Sequence, residues 1–245
     1  MGLLRSVRLV ARSAGIELSR YRRELDFGGQ AVNQLKSHNV DVVLDVGANY
    51  GQYATELRSA GFKGRIVSFE PLSGPFATLS RRAAPDPLWD CRQWALGDFD
   101  GTISINIAAN DGQSSSALPM LANHSNAFPE ANYIGTEDTP VYKLDSVAPK
   151  LLRPEDVVFL KVDVQGYERL VLAGGESTIS ERCVGLEFEL SLLPLYEDGM
   201  LIREALDLVY SMGFTLTGLQ PVVTDFRTGR LLQADGIFFR EKFDQ

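Results

Sequence analysis

Two cysteines, two histidines and two tryptophans are all that 245 residues contain of those types. Cys91 and Cys183 stand in apolar, β-prone segments far from any metal-ligand spacing, so a cysteine-ligated metal is excluded and both read as inert core thiols. Long hydrophobic runs are missing as well. No stretch approaches the roughly 18 uninterrupted apolar residues of a membrane-spanning helix, and Arg5, Arg8 and Arg12 break the longest candidate, which excludes a span and a signal peptide. Basic residues are scarce beyond the head. The first 23 residues hold six arginines and one acid, and the rest hold 18 basic against 31 acidic residues. A body that acidic has no electrostatic footprint for a phosphate backbone, so nucleic acid is excluded as a substrate. Repeats and low-complexity tracts are absent. The 44% hydrophobic and 23% charged residues suffice to bury one core, and the length suits a single folded domain.

The head has its own pattern. Leu3, Leu4, Val7, Val10, Ala11, Ala14, Leu18 and Tyr21 recur at helical spacing, with Arg5, Arg8, Arg12, Ser19, Arg22 and Arg23 between them, which predicts an amphipathic basic helix. It either docks on its own domain or lies on anionic lipid. We expect a helical extension over residues 1–38, a catalytic domain over 39–245, and a cytoplasmic protein whose head is a candidate peripheral contact with the inner membrane face.

From residue 40, short β-branched runs alternate with helical segments, as in βα units around a parallel sheet. Strands are expected near Val42–Val46, Ile66–Phe69, Trp89–Gln93, Val157–Asp163, Val184–Phe188, Phe214–Thr217 and Gly236–Phe239, the last two as a hairpin. Helices are expected over Gln52–Ala60, Gln165–Ala173 and Met200–Met212, each stopped by the glycine that follows. Residues 101–139, rich in Ser, Asn, Asp and Gly, interrupt the alternation with one strand at Ile103–Ile107, and are the expected seat of substrate specificity.

Asp41 to Gln52 reads D-V-V-L-D-V-G-A-N-Y-G-Q: an apolar strand, a loop with Gly47 and Gly51, then a helix. Such a turn offers amide N–H groups and a positive helix end to a phosphate or a carboxylate. A dinucleotide fold wants G-x-G-x-x-G, but Asn49 and Gln52 stand where the second and third glycines belong. Asp45 suits the ammonium of an amino-acid moiety, which S-adenosylmethionine carries. The second strand ends in Glu70, able to accept both ribose hydroxyl protons, or else a solvated strand-end acid. The third leads through Ala95 and Leu96 to Asp98, an acceptor for an adenine amino group or a turn residue. Together Asp45, Glu70 and Asp98 follow successive strand ends, as a ligand across the sheet edge requires.

These segments resemble the FkbM-type S-adenosylmethionine-dependent methyltransferases. The likeness rests on V-L-D-V-G-A-N-Y-G-Q at 43–52, F-E-P at 69–71, A-L-G-D at 95–98, K-L-D-S at 143–146 and F-L-K-V-D-V-Q-G-Y-E at 159–168, followed by Gly174 and the Glu187 strand. It implies a class I methyltransferase fold, α/β and Rossmann-like, with a mostly parallel sheet and a C-terminal antiparallel hairpin. It implies S-adenosylmethionine as cofactor, with Gly47, Asn49 and Gly51 at its methionine end, Glu70 on ribose, and Asp98 with Ala95 or Leu96 framing adenine. It also implies as acceptor a hydroxyl of a sugar, glycolipid or polyketide.

An alcohol is a poor nucleophile with its proton on, so a base or a metal is expected near the methyl group. Asp163 ranks first for contact with substrate or cofactor, its other reading being a helix N-cap. Glu168, in the first turn of the helix, favours the dipole. Glu187 and Glu189 share one strand face and reach the cleft or meet an arginine. His124 has the side chain best suited to base work, although a lone loop histidine is otherwise an exposed bystander. Ser114, Ser115 and Ser116 are left as a solvated loop, and His38 as structural. Asp163, Glu187 and Asp111 show no convergence by spacing, so no metal is expected. The rival readings are a nicotinamide oxidoreductase and a cofactor-binding scaffold without turnover.

Overall fold

The computed structural model describes residues 2–16, 26–225 and 227–240. Helix α1 (Gly2–Ser13) leaves Val7 and Val10 exposed, and the remainder of the expected head helix, Leu18 to Arg23, lies outside the described residues. Helix α2 (Phe27–Ser37) buries Ala31, Val32 and Leu35 against the domain.

Strand β1 (Val42–Val46) is buried at all five positions, which is why it reads as a nearly continuous apolar run rather than an alternating one. It feeds α3 (Gln52–Ala60), which ends as expected at Gly61 (φ +93°), where the amide of Phe62 returns to the Leu57 carbonyl. There follow β2 (Arg65–Phe69), α4 (Ser73–Ala83), β3 (Trp89–Arg92) and β4 (Ala95–Leu96). After the insert come α6 (Leu144–Leu151), β7 (Val158–Val162), α7 (Glu168–Ala173), α8 (Glu176–Arg182), β8 (Cys183–Ser191), α9 (Ile202–Ser211), β9 (Phe214–Asp225) and β10 (Arg230–Arg240).

The main sheet has the order β3-β2-β1-β7-β8-β10-β9. Neighbours from β3 to β8 are parallel, and the β9–β10 hairpin enters antiparallel beside β8. The expected mostly parallel sheet with a terminal hairpin is therefore present. Strands β7 and β1 pair over a sequence separation of more than 100 residues, with Val43 opposite Phe159. One face packs on α2, α3 and α4 through residues such as Leu35, Leu57 and Leu79; the other packs on α6 to α9 through Leu144, Val171, Ile179 and Val209.

Three local expectations are corrected. The helix expected from Gln165 starts at Glu168, because Gln165 (φ +55°) and Gly166 (φ +99°) are left-handed. Gly174 is no left-handed stop: its φ is −74°, and a second short helix, α8, follows at once. It is glycine because a Cβ there would lie 1.8 Å from the Gly97 carbonyl oxygen. The insert holds more structure than its composition suggests. Strand β5 (Gly101–Ala108) runs into α5 (Ala122–Ala127) and β6 (Tyr133–Tyr142), and β4, β6 and β5 form a second sheet. Strand β6 buries only two of its ten residues, so it shows no clean apolar alternation.

Candidate active site

Parallel register sets a row of polar side chains across the carboxyl half of the main sheet. Ser68 on β2, Asp45 on β1, Lys161 on β7 and Glu187 on β8 are successive in-register partners. Alternation places them on the face of Val43 and Phe159, below α3. All four are buried, and a buried charge needs partners. Trp89 Nε1 donates to Ser68 Oγ (3.0 Å), and Ser68 Oγ donates to Asp45 Oδ2 (2.9 Å). The Lys161 ammonium lies 3.4 Å from Asp45 Oδ1 and 3.5 Å from Asp163 Oδ2, and donates to the Gly47 carbonyl at 3.2 Å. From α3, the Tyr53 hydroxyl donates to Glu187 Oε2 at 2.7 Å, and its ring lies under the Lys161 ammonium. Burial works against the charge of Lys161, but Asp163, Asp45 and Glu187 outweigh it and hold the proton on. Burial and then the neighbouring Asp235 push Glu187 up to about 8.

Past β7, the loop of the D-V-Q-G-Y-E segment is tied by its own acid. Glu168 Oε1 accepts from the amides of Val164 and Gly166 at 3.2 and 3.1 Å. Tyr196 fills the space a side chain at Gly166 would need, its Cβ 2.8 Å from that position. The left-handed turn aims Gln165 inward. Its Nε2 donates to Asp163 Oδ1 and Glu189 Oε2, both at 2.9 Å, and Gln233 Nε2 makes a further 2.9 Å bond to that Glu189 oxygen. Asp163 is thus neither a helix cap nor free. Two elements hold it at the mouth, its side chain 37% exposed.

The loop after β1 takes the shape the glycines suggested but not the electrostatics. The amides of Gly47 and Ala48 both donate to the Phe69 carbonyl, that of Asn49 to Glu70 Oε2, that of Tyr50 to Asn49 Oδ1, and that of Gly51 to the Ala48 carbonyl. Five consecutive amides are consumed, so this loop is no phosphate cradle. Gly47 (φ +78°) is required because a Cβ would lie 1.8 Å from the Asp163 carbonyl oxygen. Gly51 (φ +82°) packs against Leu79 and Trp89.

A cavity of about 670 Å³ opens at this sheet edge. Gly47, Asn49, Glu70, Ala95, Leu96, Asp163, Glu187 and His124 line it, so the structure brings most of the expected site residues together. Three stand outside its lining. Asp45 points into the sheet layer toward Ser68 and Lys161, Gly51 faces Trp89, and Asp98 is exposed beyond the rim. His124, expected as an exposed bystander unless functional, is 4% exposed and lines the cavity. His38 ends α2 and stacks on Phe239. Lys161, Tyr53 and Asp235 were not singled out from sequence. The signal for Lys161 was a charge inside the apolar run V-F-L-K-V, which on a doubly buried strand demands partners.

The donor set fits a cationic adenosyl ligand. Glu56, Glu70, Glu130, Asp163, Glu187, Glu189 and Asp235 line the cavity, and Lys161 is the one lysine or arginine among the described lining residues. Burial lifts Glu70, Glu187 and Asp235 toward neutrality; a sulfonium or ammonium beside them favours their ionised forms, whereas a pyrophosphate opposes ionisation. Each oxygen of Glu70 accepts one amide, from Leu72 or Asn49, and keeps a lone pair for a ribose hydroxyl. Burial, opposed by those two amides, pushes Glu70 up to about 7. Trp94 also lines the cavity, with a buried Nε1–H that has no partner among the described residues.

Residues 45–216 match the methyltransferase FkbM domain. The 2-O-methyltransferase NoeI of Sinorhizobium fredii (strain NBRC 101917 / NGR234) is 29% identical over 179 residues, 69% of this chain and 71% of that protein. Among solved structures, an rRNA methylase from Streptococcus thermophilus aligns with a TM-score of 0.46 at 11% identity, covering 92% of this chain and 100% of that one. An S-adenosylmethionine-dependent methyltransferase from Aquifex aeolicus aligns with a TM-score of 0.40 at 13% identity, covering 89% and 93%.

Proposed function

Because this chain belongs to the FkbM methyltransferase family, we propose that it is an O-methyltransferase acting on a hydroxyl of a sugar, glycolipid or polyketide-type small molecule. It is a methyltransferase of the class I fold, with β10 inserted antiparallel between β8 and β9. The hydroxyl specificity follows the 2-O-methyltransferase relative. The observation that carries the reading is the loop after β1, whose five amides are already bonded, at the edge of a cavity rich in carboxylates. That edge suits a sulfonium donor and gives the phosphates of a nicotinamide dinucleotide no free amide at residues 47–51.

S-adenosylmethionine, when bound, supplies an already activated methyl group. Gly47 and Asn49 would border its methionine end, Glu70 would hold its ribose, and Ala95 and Leu96 with Trp94 would frame its adenine. The protein's remaining work is to align an acceptor oxygen, exclude water and take a proton. Asp163 is the group we assign to the proton: one oxygen is held by Gln165, the other faces the Lys161 ammonium, and the carboxylate stays open to the cavity. Glu187, engaged by Tyr53, fixes the hydroxyl of that tyrosine in the cavity wall. The extension at 1–38, through α1, is a candidate contact with anionic lipid.

Calorimetry with S-adenosylmethionine and S-adenosylhomocysteine tests the donor: uptake of both is expected, and uptake of neither would sink the proposal. Asp163→Ala should abolish methyl transfer while leaving donor uptake and the fold intact. Full activity in that variant removes Asp163 from the mechanism.

A further inference from the structure

We propose that His124 is a hydrogen-bond donor to the molecule being methylated, gripping one of its oxygens through Nδ1–H, and so sets acceptor specificity rather than taking the proton. The inference rests on the reading above and names a subsite within it. The insert forms one wall of the cavity, and His124 lies in that wall with 4% of its surface exposed. Its ring is fixed edge-on by Phe128 and Tyr196, at centroid distances of 5.7 and 5.1 Å. Nε2 lies 3.3 Å from Ser114 Oγ, whereas Nδ1 is buried with no partner among the described residues.

The tautomer follows from the chain of bonds behind it. The Ser114 amide donates to Asn110 Oδ1 (3.2 Å), which orients that amide group, and Asn110 Nδ2 in turn donates to Ser114 Oγ (2.9 Å). One lone pair of the Ser114 hydroxyl is then occupied and a second is free, so the bond to Nε2 can run either way; donation from the hydroxyl is the direction we assign, since it gives the hydroxyl proton a partner among the described residues. A neutral ring that accepts at Nε2 carries its proton on Nδ1. Burial lowers the pKa of His124, against a smaller opposing pull from Glu130, so the ring is neutral at pH 7. A neutral ring with Nδ1 protonated and Nε2 occupied offers no basic lone pair to the cavity. What it offers is an unmatched donor, and a buried donor left unmatched is costly. An acceptor oxygen of the bound molecule is the group that satisfies it. Ser114, set aside from sequence as solvated loop, is the residue that fixes the ring.

The chain has two histidines, so [15N]histidine labelling with a His38→Asn variant for assignment reads the ring directly. The expected spectrum at pH 7 is neutral, with the proton on Nδ1, and Ser114→Ala should release that preference. A proton on Nε2, or an imidazolium at pH 7, overturns the proposal whatever the acceptor. Methyl transfer to a panel of methyl glycosides, followed as S-adenosylhomocysteine release, gives the second arm. His124→Leu should raise the acceptor KM about tenfold with kcat little changed, and His124→Asn, which keeps an N–H near Nδ1, should recover part of the loss. A fall in kcat at unchanged KM would make His124 the base and refute the assignment. Calorimetric uptake of S-adenosylhomocysteine by His124→Leu should equal that of the parent. Loss of uptake by the parent itself defeats the methyltransferase site, while the tautomer is still read independently.

Discussion

Replacing Lys161 with methionine removes the ammonium and keeps most of the stem volume. Asp45 has no exposed surface, and without the lysine its Oδ2 retains the bond from Ser68 while Oδ1 loses its only counter-ion among the described residues, now 3.4 Å away. Breaking a buried pair by removing one partner costs roughly 3–5 kcal/mol, since an uncompensated charge is left behind. At a urea dependence of roughly 3 kcal/mol per molar, the unfolding midpoint should fall by more than about 1 M. Asp45→Asn combined with Lys161→Met should recover at least half of that loss, because both charges are then gone and an amide can still accept from Ser68. Urea denaturation of the parent, both single variants and the double variant, with the protein free of added ligand, closes the cycle. Strict additivity, or a Lys161→Met cost below about 1 kcal/mol, would show that the row across the sheet is not an energetic unit.

Glu187 is held at about 8, above the carboxylate value of 4.5. A raised pKa in the fold stabilises it below the unfolded value, and that stability is lost as pH rises through 8. Asp235, pushed up to about 7 by burial and then by Asp163, acts in the same direction. The thermal midpoint should therefore drop between pH 5 and 8.5, with on the order of 3 kcal/mol lost over that window. Glu187→Gln should flatten the slope; an unchanged slope in the variant counts against the burial argument. Gly47→Ala places a methyl 1.8 Å from the Asp163 carbonyl oxygen at φ +78°, so it should cost at least about 2 kcal/mol in denaturation and weaken donor uptake by calorimetry. Parent-like values for both would mean that the two loops yield easily. Helix α1 leaves Val7, Val10, Arg8 and Arg12 exposed, and should float the protein with acidic vesicles less well as salt rises. Failure to float at low salt ends the lipid reading.

Much of the sheet edge around β1 and β2 could be read from residue order. The strand, glycine turn and helix at 42–60, and the acid at Glu70, are short-range patterns whose local sequence dictates their shape. The insert was less legible: strand β6 buries only two of its ten residues, so burial left no period to read. His124 was visible as a residue type but not as a buried one, because the aromatic pair that encloses it comes from Phe128 and Tyr196, the second of them 72 positions away.

Residue order alone determined that this is an α/β chain with a carboxylate-bearing sheet edge, since β-branched runs, glycine turns and strand-end acids act within a few residues of themselves. Folding decided which of those carboxylates open onto the cavity and which turn into the sheet layer. Asp45 became the partner of Lys161 because parallel pairing of β1 with β7 sets side chains more than 100 positions apart at contact distance, and Glu187 that of Tyr53 because α3 packs over that face of the sheet. That register is set by packing between distant segments, and no local period encodes it.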